Sequence, residues 1–248
     1  MKILAVDCCL RLTGAALMLD EKIDFEQEDL GRRQSSELPK MTERLLRKNN
    51  LSWQELDYVA LTNGPGYFTG IRVGAAYASG LAYACGVKII PVSSLELLAY
   101  GSHEKVLVLV YAGHGFVYAE CKNFLEPGEY SHAEILSWLD KNPDAKIISD
   151  DPERTGLKIS CKTGEYSHEN ELVHVDNDAK LISSDTRYMG LFDDADGKSL
   201  REREKIIQVK PSMKSLCYLA CEKINLAVNS AELKVLYYRA PQGVNLRR

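Results

Sequence analysis

Between Asn63 and Gly74 the chain runs Asn63-Gly64-Pro65-Gly66-Tyr67-Phe68-Thr69-Gly70-Ile71-Arg72-Val73-Gly74, a glycine-rich turn after an apolar run. It opens a helix predicted over residues 69–85. In that helix Gly70, Gly74, Ala78 and Ala82 recur every four residues, with Val73, Tyr77, Leu81 and Cys85 as a neighbouring apolar stripe. Side chains at i and i+4 share a face, so one side of this helix is nearly bare backbone. Two readings of the turn stand at this point. In one, its glycines allow a tight backbone approach and Thr69 caps the helix. In the other, Asp7, Gly64, Gly66 and Thr69 make a weak nucleotide contact, since a turn that opens a helix aims N–H groups at an anion. Neither standard phosphate motif fits. Ile71 and Arg72 follow Gly70 where a P-loop needs Lys-Ser/Thr. A dinucleotide fingerprint wants glycine at 69 and an acidic residue after the next strand, where Pro91 and Val92 stand. The bare helix face likewise fits either tight packing on its own sheet or a helix of another chain.

Around this segment the pattern is β-β-β-α-β-α-β. Residues 2–6, 13–19, 23–28, 56–62 and 87–90 have strand character. A helix is expected over 35–49, with Ser35 or Ser36 as cap, Pro39 in its first turn, and Leu38, Met41, Leu45 and Leu46 along one face. A second unit starts near Lys105, with strands at 106–111, 116–121 and 146–149 and a helix at 133–141. A helix over 211–228 follows, then a strand-like piece at 235–238. The alternation predicts an α/β class. The expected boundaries are an N-terminal lobe at 1–103, a diverged second lobe at 104–210, and residues 211–248 packing back on the lobes. Residues 150–210 show no clean periodicity, and no internal repeat is visible.

Composition narrows the partners. The 248 residues carry 31 basic against 35 acidic side chains, a net charge of −4, and neither half is strongly basic. A chain that grips nucleic acid by itself needs a positive field. The first apolar run breaks at Asp7, short of a signal or a membrane span, and the seven cysteines show no CxxC spacing. The expectation is a cytoplasmic chain with reduced thiols, no membrane partner and no cofactor.

The opening Ile3-Leu4-Ala5-Val6-Asp7, the segment Gly64–Gly74, Val92-Ser93-Ser94-Leu95-Glu96 and Tyr237-Tyr238-Arg239 together resemble the TsaB (YeaZ) family. The resemblance is close over 1–121 and loose over the last twenty residues. It implies an actin-like (ASKHA) fold of two RNase H-like lobes with mixed sheets flanked by helices. It also implies a part in making N6-threonylcarbamoyladenosine on tRNAs that read codons beginning with adenine. In that pathway the family supplies a non-catalytic partner of its larger homologue TsaD, which carries the metal, and the ATPase TsaE joins the pair. The chain departs from the family pattern at Cys8-Cys9, where Thr and Ser or Ala are usual, and at Tyr67, where serine is usual. Tyr111-Ala112-Gly113 stands where Asp-Ala-Arg is usual, and Gln34 and Ser35 lie where a histidine is common.

On this reading catalytic and metal residues are absent, and tRNA is reached only through the complex. The expected interface with TsaD comprises Leu38, Met41, Leu45, Gly70, Gly74, Tyr77, Ala78, Leu81 and Ala82. The isolated chain is expected to form a homodimer through the same patch. The competing expectation is a stand-alone kinase or ATPase using Asp7 and the Gly64–Gly70 turn, with Gly14 in a first phosphate turn. Asp7 alone is too few ligands for Mg²⁺. The histidines lack zinc spacing and are expected to be exposed, and no GxSxG elbow occurs.

Overall fold

Residues 1–102, 104–157 and 206–238 are described by a computed structural model. They build two five-stranded sheets. The first contains β1 (Lys2–Asp7), β2 (Thr13–Leu19), β3 (Lys22–Glu28), β4 (Tyr58–Thr62) and β5 (Lys88–Val92), in the order β3-β2-β1-β4-β5. The β1–β2 and β2–β3 pairs are antiparallel, and β1–β4 and β4–β5 are parallel. The second contains β6 (Val106–Gly113), β7 (Phe116–Cys121), β8 (Leu125–Ser131), β9 (Lys146–Ser149) and β10 (Ile207–Gln208), in the order β10-β9-β6-β7-β8. Its pairings repeat those of the first sheet strand for strand. The duplication is topological, which is why no repeat shows in the residues.

Strand alternation distributes the core over three layers. Leu4 and Val6 of β1 and Ala15 and Leu17 of β2 face outward, under α1 (Gln34–Lys48) and α2 (Phe68–Cys85). Ile3, Ala5 and Ala16 face inward. They meet Leu95 and Leu98 of α3 (Ser94–Ala99), Leu216, Cys217 and Ala220 of α6 (Met213–Glu222), and Val106, Val108 and Ile148 of the second sheet. Ile135 and Leu139 of α4 (His132–Lys141) cover the far face of that sheet over Leu107, Leu109 and Val117. The short α5 (Pro152–Thr155) starts on Asp151, whose carboxylate accepts from the Arg154 N–H.

Several local expectations are corrected. Neither Ser35 nor Ser36 caps α1, which grows out of a 3₁₀ turn at Gly31–Arg33 and has no side-chain cap. Gln34 fixes its start instead, since that nearly buried amide donates to the Cys8 carbonyl at 3.5 Å. Pro39 therefore sits in the second turn. Thr69 does not cap α2; the cap position is Tyr67, and Thr69 is exposed. Helix α6 is shorter than 211–228. Ser212 caps it, and after Glu222 the chain turns so that Val228 can bridge to Ile89. Residues 235–238 are not a strand but a strap, with the Leu236 N–H donating to the Asn63 carbonyl at 2.7 Å. β8 and α3 were not expected. Pro127 and Gly128 disguise β8, which as an edge strand tolerates both. The six residues of α3 are too few for a periodic signal, although Ser93 and Glu96 form a capping box. Cys161, His168, His174, His103, Arg239 and the tail to Arg248 lie outside the described residues, as does most of the unassigned stretch 150–210.

The glycine turn is where packing is tightest. A Cβ on Gly66 would lie 2.1 Å from the Cys9 carbonyl oxygen, and one on Gly70 would lie 1.8 Å from that of Cys8. Backbone atoms cannot give way as a flexible side chain does. Gly66→Ala and Gly70→Ala are each expected to cost about 3 kcal/mol of stability in urea unfolding. Gly80→Ala, on the same helix but facing open space, should instead stabilise by about 0.5–1 kcal/mol.

Candidate functional site

Two regions concentrate chemistry: the cleft between the sheets, where Asp7 lies, and the outer face of α1 and α2. At the cleft, β1 ends in Asp7 and the chain turns through Cys8-Cys9 toward β2. The glycine turn lies on this corner, with the Tyr67 N–H donating to the Cys9 carbonyl at 2.8 Å. Cys8 is buried beneath Gly74, and the Cys9 thiol donates to the Thr62 carbonyl at 3.0 Å. Burial pushes the Cys9 thiol up to about 12 and Cys8 higher still, so neither is a thiolate nucleophile.

Asp7 is fully buried. Its Oδ1 accepts from the Cys9 N–H at 2.9 Å and from the Thr62 hydroxyl, while Oδ2 has no hydrogen-bond partner among the described residues. Burial raises its pKa to about 6, against the lowering effect of the Thr62 hydroxyl and the Cys9 and Leu10 N–H groups. Across the cleft Asp150, at the end of β9, is 4% exposed and accepts from the Arg11 N–H at 2.8 Å. Burial raises Asp150 to about 7, and the charges of Asp151 and Asp7 add to the rise. Beside it a cavity of about 250 Å³ is lined by Arg11, Asp29, Gln208 and Lys210, among others.

These residues do not fit a magnesium–nucleotide site. One oxygen of Asp7 is occupied by protein donors and the whole group is sealed from solvent. Gly14 is not a phosphate turn, because a Cβ there would lie 2.3 Å from the Met213 sulfur. Gly64 and Gly66 are buried under protein, whereas Thr69 faces solvent, so the four candidate contacts do not converge. The Tyr67 and Ile71 N–H groups are both taken by backbone carbonyls.

On the outer face the small-residue stripe points inward. Gly70, Gly74, Ala78 and Ala82 are buried, and Gly74 rests on Leu61 and Cys8. Leu38, Met41 and Leu45 are also buried in the layer under α1. The expectation that these seven present themselves to a partner is corrected by that burial: their own sheet uses them. Tyr77 and Leu81 are half-buried at its margin, and the Tyr77 and Thr42 hydroxyls hydrogen-bond across the two helices. What α2 exposes is a second small stripe, Ala76, Gly80 and Ala84, flanked by Arg72 and by Tyr83 at 82% exposure. Between α1 and α2 lies an apolar groove of about 360 Å³, lined by Ser35, Leu38, Pro39, Arg72, Val73, Ala76 and Tyr77.

The second stripe does not stand out in the sequence, because glycine and alanine occur on both sides of the helix. Asp150, Asp151 and Arg154 carry no motif of their own there, although Asp151-Pro152 after an apolar strand is a helix-start signal. His114 is exposed as expected. His132 is not: its ring Nε2 lies 2.9 Å from the Thr155 carbonyl in a half-buried position.

Two duplicated mixed sheets with helices outside and between them define an α/β chain of the actin-like, RNase H-like class. A family model described as TsaD, tRNA N6-adenosine threonylcarbamoyltransferase, matches residues 27–147. The chain is 32% identical over 171 residues to the tRNA threonylcarbamoyladenosine biosynthesis protein TsaB of Escherichia coli, covering 67% of this chain and 69% of that one. It is 29% identical over 138 residues to the protein of that name from Buchnera aphidicola of Acyrthosiphon pisum, covering 52% of this chain and 61% of the relative. A solved Pseudomonas aeruginosa protein described as uncharacterized, with similarity to peptidase YEAZ, superposes with a TM-score of 0.67. It is 17% identical and is covered over 99% of its length by 96% of this chain, a likeness of fold. The chain belongs to the TsaB family.

The buried acids give the cleft a pH signature. A carboxyl whose pKa rises on folding adds stability below its unfolded value, and that stability is lost as pH rises through the folded value. For Asp7 and Asp150 the loss begins near the ordinary carboxyl value of 3.8 and is complete about one pH unit above their values near 6 and 7. Urea unfolding should therefore show greater stability at pH 5.5 than at pH 8. Asp150→Asn should flatten that slope and raise stability at pH 8 by about 1–3 kcal/mol.

Proposed function

We propose that the chain acts in the synthesis of N6-threonylcarbamoyladenosine on tRNAs that read codons beginning with adenine. It does so as a non-catalytic subunit that supports TsaD, in a complex joined by TsaE, and tRNA is reached only through that complex. Membership of the TsaB family supports the pathway. The observation that carries the scaffold role is the filled corner at Asp7. The turn that would cradle a phosphate is packed on the Cys8-Cys9 main chain, and its Tyr67 N–H donates to the Cys9 carbonyl. That packing and the sealed Asp7 carboxyl weigh against a stand-alone kinase or ATPase.

The partner face in this reading is the exposed side of α2 with the adjoining groove: Arg72, Ala76, Gly80 and Tyr83, with Tyr77 and Leu81 at the edge. Small residues let a second helix approach to the lower end of the usual 8–10 Å interaxial range, and Tyr83 supplies the large apolar anchor. A copy of the same chain can use the same patch isologously, so the isolated protein forms a homodimer and TsaD replaces one copy. The lobes in this account are residues 1–103 and 104–210, with 211–248 returning to them.

Two variants two residues apart, on opposite sides of α2, test the face. Gly80→Arg meets open space and should leave the circular dichroism spectrum intact while abolishing both homodimer and TsaD binding in size-exclusion chromatography. Ala78→Arg puts a charge on the buried side and should unfold the chain, costing about 4 kcal/mol or more. A folded Gly80→Arg protein that bound TsaD normally would refute the interface. An ATP turnover by the purified chain that vanished in Asp7→Asn would refute the scaffold role.

A further inference from the structure

Two positions at which this chain departs from the family pattern, Tyr67 and Tyr111, are 44 residues apart in sequence and belong to different halves of the fold. In space they meet. Tyr67, at the start of α2, and Tyr111, in β6, have ring centroids 6.2 Å apart at an interplanar angle of 42°. The Arg154 guanidinium, carried by α5 beside the second sheet, lies 4.7 Å from the Tyr67 ring centroid and 4.9 Å from that of Tyr111. The Tyr67 hydroxyl also donates to Asp151 Oδ2 at 3.3 Å. From this geometry we infer that Tyr67, Tyr111 and Arg154 form a clasp across the cleft that locks the two sheets in one closed arrangement.

Each part of the clasp has a physical reason. Tyr67 is fixed to the first sheet through its N–H bond to Cys9, and Tyr111 is fixed in the β6 ladder of the second. One cation facing two rings draws both toward itself, because the quadrupole of each ring attracts positive charge at its face. Arg154 is in turn held by α5, whose first turn is capped by Asp151. Closing the cleft also forms the bond from the Arg11 N–H to Asp150, a contact between residues 139 positions apart. That amide therefore reports whether the cleft is closed.

The test is amide hydrogen exchange read residue by residue by NMR on the full chain. Arg154 is exposed, so its replacement does not disturb the core. Arg154→Ala should speed exchange of the Arg11 N–H about tenfold, while amides within β1, β2 and β4 keep their wild-type rates. Arg154→Lys, which keeps the cation, should restore part of the protection, and Tyr111→Phe, which keeps the ring, should retain all of it. Unchanged exchange at Arg11 in Arg154→Ala would overturn the clasp. So would acceleration of every core amide together, which would mark an ordinary stability contact, or acceleration in Tyr111→Phe, which would put the effect in the hydroxyl.

Discussion

The contact on which the rest depends is the seating of the Gly64–Gly70 turn on the Cys8-Cys9 backbone. The Tyr67 N–H to Cys9 carbonyl bond, together with glycines at 66 and 70, brings two stretches of main chain to a separation that no Cβ permits. This one approach fixes where α2 starts and which of its faces turns inward. It also fixes how β1 and β4 end beside each other. Gln34 reaches the same corner through the Cys8 carbonyl, so the start of α1 depends on it as well. The strap at 234–236 closes over the turn from the other side, held by the side-chain amide and carbonyl of Asn63.

Chemistry follows from that seating. The turn lies against the Cys8-Cys9 main chain with glycines where any Cβ would clash, and the carboxylate walled in beside it is held by Thr62 and Cys9. The corner has become a rigid joint between the sheets, with burial raising Asp7 and Asp150 toward neutrality. Because the inward stripe of α2 is used in the joint, the partner face proposed above is its opposite side. There Ala76 and Gly80 lie in the open and Tyr83 stands clear of the surface.

Much of the first sheet was legible in the sequence because its signals are local. Apolar runs ending in Asp7 and Thr62 mark strands, and Leu38, Met41 and Leu45 mark one face of α1. The family resemblance rested on the same region. The direction of the small stripe was not legible, since a bare helix face serves a sheet or a second helix equally well and only tertiary packing decides. Ser35, Ser36 and Thr69 have cap chemistry but cap nothing, for a related reason. Tertiary bonds, from Gln34 to Cys8 and from Tyr67 to Cys9, set those helix starts in place of local side-chain caps. Asp150 and Arg154 acquire meaning only when the second sheet is folded against the first. The departures at Tyr67 and Tyr111 were visible as lost polar groups, but their meeting around Arg154 was not, because nothing local links residues so far apart.

The central claim is that the glycine turn is seated on the Cys8-Cys9 main chain and, in the proposed scaffold role, takes no phosphate. The most direct measurement is the ¹⁵N chemical shift of the Tyr67 amide, with its exchange rate, during titration with magnesium and ATP. The account predicts a protected Tyr67 N–H whose shift and exchange stay constant to millimolar nucleotide. A saturable shift of that resonance, with loss of its protection, would show the turn opening onto a phosphate and would contradict the account.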